Sequence, residues 1–455
     1  MDQTPVVKGE RRRKRIALLL LMLAFLVAVG SLAFFHIKTA RAIEKHEQTL
    51  KAAGEPVTLA EVTQEYRSLK AEVNGAEAYS ASFNLMTNVA LLGERKATEI
   101  KVDATKLLDG NRETYEQVHR ENGLFYAALE EATAKFQRTT YPLEFEEGFS
   151  MLVKHLKQRQ EAFKLMELDA LLAAERNDVT QLMRDLEMML TLANSLEREP
   201  ILISVLVRLR GITMAARVTQ LIAQSAKVSE AQLSKVRRVW DFPPVREQMV
   251  KALWLERWVI RDLFSRPSSY FWSVLETDDG PGPNLGLQIL RLSGAAKVDE
   301  LNHLEKVREL QLLMSQPSTF GQHGALERLM AETKLGPLNG ISDVKLVSRA
   351  FLPGVYKASD RVIRGEATVQ LVHLGLSVTE YLRKYDKFPE SLGKVDGRDR
   401  GSLRTDPFTG IEFIYVAEED GVLIYSVGPN GIDERGVTFE KAKVDDFGFH
   451  VGRAN

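Results

Sequence analysis

Near the start of the chain, five cations in a row, Arg11, Arg12, Arg13, Lys14 and Arg15, stand directly ahead of Ile16–Phe35, a stretch without a single charge. About twenty uncharged, mostly apolar residues suffice to cross the hydrocarbon core of a bilayer as a helix. A helix is required there because lipid offers no partner to a free backbone N–H or C=O. The competing reading is a cleaved signal peptide. Its apolar segment usually spans only about seven to fifteen residues, although Ala40-Arg41-Ala42 has the small residues of a cleavage site. The basic block outweighs Lys38, Arg41 and Lys45 beyond the span, so the positive-inside bias predicts a cytoplasmic tail over 1–15, an anchor over 16–36 and the remainder on the far side.

Beyond the anchor there is enough chain for more than one core. With 455 residues, 44% of them hydrophobic and 27% charged, the composition is that of folded protein and not of disorder. A net charge of −1 supplies no global field for nucleic acid. The absence of cysteine removes disulfides, thiolate metal sites and thiol nucleophiles.

Residues 37–353 are expected to form an α-helical extracytoplasmic domain. Gly54 breaks a polar helix, and Thr58-Leu59-Ala60-Glu61 has the pattern of a capping box. Ile201, Leu202, Val205, Leu206, Leu209, Ile212, Ala216 and Ile222 recur at three- and four-residue spacing, which predicts an amphipathic helix with Arg208, Arg210 and Arg217 on other faces. Asn177-Asp178 and Ser229-Glu230 are start signals, and Pro200 and Pro243-Pro244 punctuate. Asp278-Asp279-Gly280-Pro281-Gly282-Pro283-Asn284 is the strongest loop signal, and the helical domain is expected to end near Pro353.

Residues 354–455 change character. A last helix is predicted over about 358–385, with Leu371, Leu374, Val378, Tyr381 and Leu382 on one stripe suited to lie across a sheet. Glu412–Val416 and Val422–Val427 read as strands joined by an Asp-Gly turn, and Phe447–Val451 as a third. The fold class expected is therefore mainly α, with a transmembrane helix, a helical array and a small α+β end that carries a short antiparallel sheet.

The C-terminal order of helix, Phe388-Pro389 corner, Asp406-Pro407-Phe408-Thr409-Gly410 turn, hairpin and Ser426-Val427-Gly428-Pro429-Asn430-Gly431 loop resembles the soluble end of the major pseudopilin of type II secretion systems. The phrases Leu50–Thr58 and Glu197–Ser204, with Pro389-Glu390-Ser391-Leu392, resemble a group of uncharacterised membrane-anchored proteins of planctomycete-type bacteria. In the pseudopilins the loop after the strand holds calcium through carbonyls and acidic side chains. The resemblance implies Val427, Asn430, Asp433, Asp445 and Asp446 as candidate ligands, with Asn430 where the family commonly has Asp. Calcium takes about six to eight oxygens, which such a loop can offer. A plain Gly-Asn turn with solvated acids is the alternative, and Arg435 can itself supply the cation. The pseudopilin processing signal, Gly followed by Phe-Thr-Leu-Ile-Glu, is absent: Gly9 precedes Glu10 and the basic block. That departure points to a related fold used outside a fibre.

Catalytic signatures are sparse. None of the eight histidines forms His-Glu-x-x-His, and neither Gly-x-Ser-x-Gly nor Gly-x-x-x-x-Gly-Lys occurs. Glu144, Glu146 and Glu147 beside Tyr141 suggest a glycosidase pair only weakly, because such acids must face each other across a cleft. Trp254 and Trp258, four apart, with Phe271 and Trp272 downstream, form either a core stripe or a stacking platform. These features predict a non-catalytic, membrane-tethered envelope scaffold or interaction module, in the periplasm of a bacterium and meeting a protein partner. The alternatives are an envelope hydrolase acting on glycan or peptide, and a calcium-stabilised binding protein.

Overall fold

In the computed structural model the described residues are all except 1–4, 70–73, 94–101, 268–269, 271–273, 275–287, 289–290, 317–320, 333–344, 396–400, 420, 437–444 and 454–455. The expected loop at 278–284 and the pair Phe271 and Trp272 lie outside them. The described chain is mainly helical.

Helix α1 (Pro5–Ala52) runs 48 residues without a break and contains the one segment among the described residues long and apolar enough to cross a membrane. Among the described residues nothing covers that segment: Leu18, Leu21, Phe25 and Phe34 are between 60% and 69% exposed. Leaving such a surface in water costs on the order of tens of kcal/mol. The helix ends at Gly54, whose φ of 72° lies in the left-handed region, and the N–H of Glu55 folds back to the carbonyl of Leu50 at 2.9 Å.

The chain divides into two units. The first comprises Met1–Val57, Arg257–Lys306 and Thr333–Leu352. Here Ile43 and Leu50 of α1 turn inward, and Glu47 and Glu55 pair with Arg261 and Arg257 at 2.5 and 2.9 Å. Those arginines belong to α11 (Val245–Ser265), whose Ile260 and Leu263 meet Val347 in a small core with Phe264 and Phe351. Asp299, on α12 (Ala295–Met314), accepts hydrogen bonds from the N–H groups of Val347 and Ser348 at 2.6 and 3.0 Å. It thereby satisfies two orphan donors at the start of α14 (Leu346–Tyr385) and places negative charge at that positive helix end.

The second unit comprises Thr58–Glu256, Val307–Glu332 and Pro353–Asn455. Its first helix, α2 (Leu59–Ser68), opens on the expected capping box: Thr58 Oγ1 accepts from the N–H of Glu61, and Glu61 Oε2 from the N–H of Thr58, both at 3.2 Å. Short helices α3 (Ala76–Phe83), α4 (Ala104–Leu108), α5 (Arg112–Glu121) and α6 (Gly123–Lys135) lead into three long ones, α7 (Lys154–Glu175), α8 (Val179–Asn194) and α9 (Leu202–Gln224), which pack on one another. Asp178 caps α8, Ser229 with Gln232 forms a second capping box at α10 (Glu230–Val239), and α13 (Gln322–Glu332) belongs to the same unit. Gly211 sets the spacing of the three long helices, because a β-carbon there would lie 2.5 Å from Phe163 Cζ and 2.8 Å from Ala193 Cβ.

The last long helix departs from expectation. It begins at Leu346, passes through Pro353 and continues to Tyr385, although a proline inside a helix forfeits a hydrogen bond and costs about 3 kcal/mol. Packing decides it: Leu352, Val355, Tyr356 and Val362 are all buried. The boundary expected at 353/354 thus falls within a helix, and Pro353–Asn455 groups with Thr58–Glu256. After the short turn α15 (Gly401–Arg404), β1 (Ile414–Ala417), β2 (Gly421–Ser426) and β3 (Phe447–Gly452) form an antiparallel sheet in the order β1-β2-β3. Ile414 faces Tyr425, and Val422 faces Val451. The central strand is buried along its whole length, which requires cover on both faces.

Ahead of the sheet, Asp406 Oδ1 accepts from the N–H of Phe408 at 2.9 Å, while its carbonyl accepts from Gly410 at 2.8 Å. Asp-Pro-Phe-Thr-Gly is therefore a turn that lodges Phe408 against the edge of Phe447.

Candidate functional site: an arginine-lined cleft

Between α9, α14 and β3 of the second unit lies a half-open cleft of about 530 Å³. Its polar lining carries four arginines and one acid, Asp446. Arg210 and Arg217 stand seven residues apart on α9, two turns along one face, which separates them by about 10 Å. Arg361 and Arg364 stand three apart on α14, with Thr368 one turn further on. Its floor is apolar and includes Leu206, Leu209, Leu371, Phe447 and Phe449. Leu209 can pack against α14 because residue 365 is glycine, where a β-carbon would lie 2.3 Å from Leu209 Cδ2.

The four guanidinium groups differ in what balances them. Arg217 pairs with Glu167 of α7 at 2.5 Å. Arg364 lies over the ring of Phe447 at 4.3 Å; burial depresses its pKa, while Asp445, Asp360 and Asp446 favour its charge. Arg210 and Arg361 are exposed, and among the described residues neither has an ion-pair partner. Gln220 closes one end, accepting from the N–H of Val102 at 3.0 Å and donating to the carbonyl of His450 at 3.3 Å. The periodicity of α9 had placed Arg210 and Arg217 on a polar face. What it lacked was the facing wall, because α14 lies well over a hundred residues away in sequence. The clue in sequence is the pairing of a seven-residue arginine spacing with Arg361-x-x-Arg364.

Arg208 is a different case and corrects the expectation of an outward polar face. It is buried, donates to Asn194 Oδ1 at 3.0 Å and to the carbonyl of Pro243 at 2.7 Å, and lies over Phe242. Burial lowers its pKa to about 10, so it remains charged at neutral pH. Arg159 is likewise fully buried, bonded to Leu192 O, Ser195 Oγ and Thr139 Oγ1 at 2.7–2.9 Å and ringed by Tyr79, Phe83 and Tyr141.

The C-terminal loop gathers most of the residues that sequence had singled out for a cation. Asp433 Oδ1 accepts from Tyr425 OH at 2.9 Å and from the N–H of Arg435 at 2.8 Å. Asn430 donates to Glu434 Oε1 at 3.0 Å, and Glu434 Oε2 accepts from the N–H groups of Asp445 and Asp446. Asp446 Oδ2 accepts from Glu434 and Gly436 N–H, whereas its Oδ1 is buried with no hydrogen-bond partner. Burial and nearby Glu434 push the Asp446 carboxyl up to about 6. Val427 is buried, and at Gly428 the carbonyl of Asp445 comes so close that a β-carbon would lie 2.4 Å from it. The acids thus organise their own loop, and among its described acids Asp446 Oδ1 is the buried oxygen without a hydrogen-bond partner. Among the described residues no group of three or more His, Asp or Glu is arranged to hold a metal ion.

Other candidates resolve into structure. Glu144, Glu146 and Glu147 are exposed on one turn, with Glu146 paired to Arg67 at 2.6 Å, so they do not face each other across a cleft. Trp254 and Trp258 are half-buried. His155 and Ser204 both bond Glu199, the serine to the carboxylate and not to the imidazole, and all three are buried. This arrangement joins α7 to α9 and exposes no nucleophile. His119 reaches Asp169 at 2.9 Å, and Gln181 donates to both Asp169 and Asp185 at 3.0 Å. Asp185 is fully buried, so that acid pair has no access to substrate.

No family model, no curated protein and no solved structure matches the chain.

Proposed function

We propose that the protein is a membrane-tethered interaction module of the bacterial envelope, non-catalytic, held by α1 and meeting a protein partner through its second unit. The observation that carries this reading is the cleft: an apolar floor, two rim arginines, Arg210 and Arg361, with no acid to neutralise them among the described residues, and a single lining carboxylate, Asp446, with no second acid beside it on the lining. A cation-rimmed trough suits binding, whereas hydrolysis needs a nucleophile or a water activated within reach of a proton donor. The uncovered apolar helix and the basic block before it support the tether and a cytoplasmic N-terminus, with the bulk of the chain periplasmic.

The pseudopilin likeness is part of the same proposal. A long helix, an antiparallel hairpin, an acid-rich loop and a third antiparallel strand follow in that order. Calcium in the loop is a second reading, favoured by the unpartnered, buried Asp446 Oδ1.

The test has two arms. A reporter fused after Asn455 is expected to be active only outside the cytoplasm, and crosslinking in native cells is expected to trap the chain with a discrete envelope protein. Turnover of peptidoglycan fragments or peptides by the purified chain, abolished by one carboxylate substitution, would falsify the non-catalytic reading.

A further inference from the structure

We infer that the cleft is a docking site for an acidic peptide segment with interspersed apolar residues, supplied by a partner protein. This deepens the interaction-module reading and rests on it. Three observations select that occupant. First, Arg210 and Arg361 on the rim have no acidic partner among the described residues, while Glu167 already occupies Arg217 and Asp446 lies by Arg364. The charge left over asks for a ligand with more than one anionic group, and the planar guanidinium fork suits carboxylate.

Second, the two uncompensated guanidinium groups come from different walls of the cleft, Arg210 from α9 and Arg361 from α14, so a chain lying along the cleft can present one carboxylate to each. In an extended strand alternate side chains turn to opposite sides, which leaves apolar residues free to face the floor. Third, Leu206, Leu371, Phe447 and exposed Ile203 present an apolar surface beside the cations, which inorganic anions cannot use. Gln160, Thr213 and Thr368 lie among them as hydrogen-bonding groups for a peptide backbone.

The experiment uses the full chain in detergent micelles and a short fluorescein-labelled peptide of alternating Glu and Leu, read by fluorescence anisotropy. Saturable binding is expected, weakened by salt, and absent for the same peptide with Lys in place of Glu. The double substitution Arg210→Ala with Arg361→Ala is expected to weaken it at least about tenfold. Both side chains are exposed, so folding is expected to be unchanged by circular dichroism. Arg210→Lys with Arg361→Lys, which keeps charge but loses the fork, is expected to fall between. Equal affinity of wild type and the double alanine variant, or no peptide binding, overturns the proposal. So does arginine-dependent binding of inorganic phosphate or of anionic phospholipid vesicles that the peptide cannot displace. If the peptide fails while crosslinking in cells still traps a partner with the double variant, the cleft is refuted and the module reading stands. If both fail, both are refuted.

Discussion

Phe449 of the last strand rests on Gly375 of the last long helix so closely that a β-carbon at 375 would lie 2.2 Å from the ring's Cδ1. This contact seats the sheet on the helix and, with Gly365 and Leu209 nearly three turns earlier, positions the cleft between them. Phe449 is 2% exposed and has nowhere to swing.

Gly375→Ala is therefore expected to destabilise the second unit by about 1–3 kcal/mol, the usual cost of forcing an extra carbon into a packed core. Gly354→Ala is the matched control. It lies on the same helix with nothing within 4 Å of the added carbon, and it is expected to be neutral or stabilising by up to ~1 kcal/mol. Denaturant unfolding of the two variants checks the prediction, which fails if both shift alike.

The buried Asp185 sets a pH dependence of one sign. Burial and the neighbouring Asp169 hold its carboxyl well above the usual carboxylate range, so the folded chain retains a proton that the unfolded chain releases. Its contribution to stability is complete below the ordinary carboxylate pKa of about 4 and is lost as pH rises through the raised value. Asp185→Asn needs no proton. Relative to wild type, its melting temperature is expected to gain most at about pH 8 and least at about pH 4. A pH-independent difference would refute this.

His303 sets the opposite sign. It is fully buried, neither ring nitrogen has a hydrogen-bond partner among the described residues, and burial pushes its pKa down to about 3. The unfolded chain takes up a proton at about pH 6.5, where the folded chain does not. Stability from this group is present above that pH and drains away as pH falls toward the lowered value. His303→Leu, of similar bulk and no charge, is expected to melt higher than wild type at about pH 5 and to differ little at about pH 8. Matching melting curves at both pH values would remove the histidine from the account.

Calcium offers a direct check on the C-terminal loop. With Asp446 Oδ1 the one acid oxygen buried without a partner among the described residues of the loop, millimolar calcium is expected to raise the melting midpoint relative to chelator. The gain is expected to disappear in Asp446→Asn. Identical midpoints with calcium and chelator end the metal reading.

Much of the architecture was legible in local chemistry. The uncharged run from Ile16 to Phe35 specifies a helix with no protein cover because no other backbone arrangement satisfies its own polar groups. Thr58, Asp178 and Ser229 mark helix starts because their side chains bond the N–H groups two or three residues on. The strands were placed to within about two residues by β-branched and aromatic residues with turn formers between them. All of these signals act within a few residues, so one sequence carries them.

Only tertiary packing decided the rest. Whether Pro353 ends a helix depends on whether Leu352 and Tyr356 find a core that offsets the lost hydrogen bond. Whether Arg208 faces water or Arg210 does depends on what lies across from α9, a matter of neighbours on other elements, as far along the chain as α14. The cleft exists because Gly365 and Gly375 let a helix and a sheet approach, and no local propensity encodes a partner's position. Short-range hydrogen bonding and hydrophobic spacing are written along the chain, whereas the meeting of arginines from two remote helices is set by the free energy of packing the whole unit.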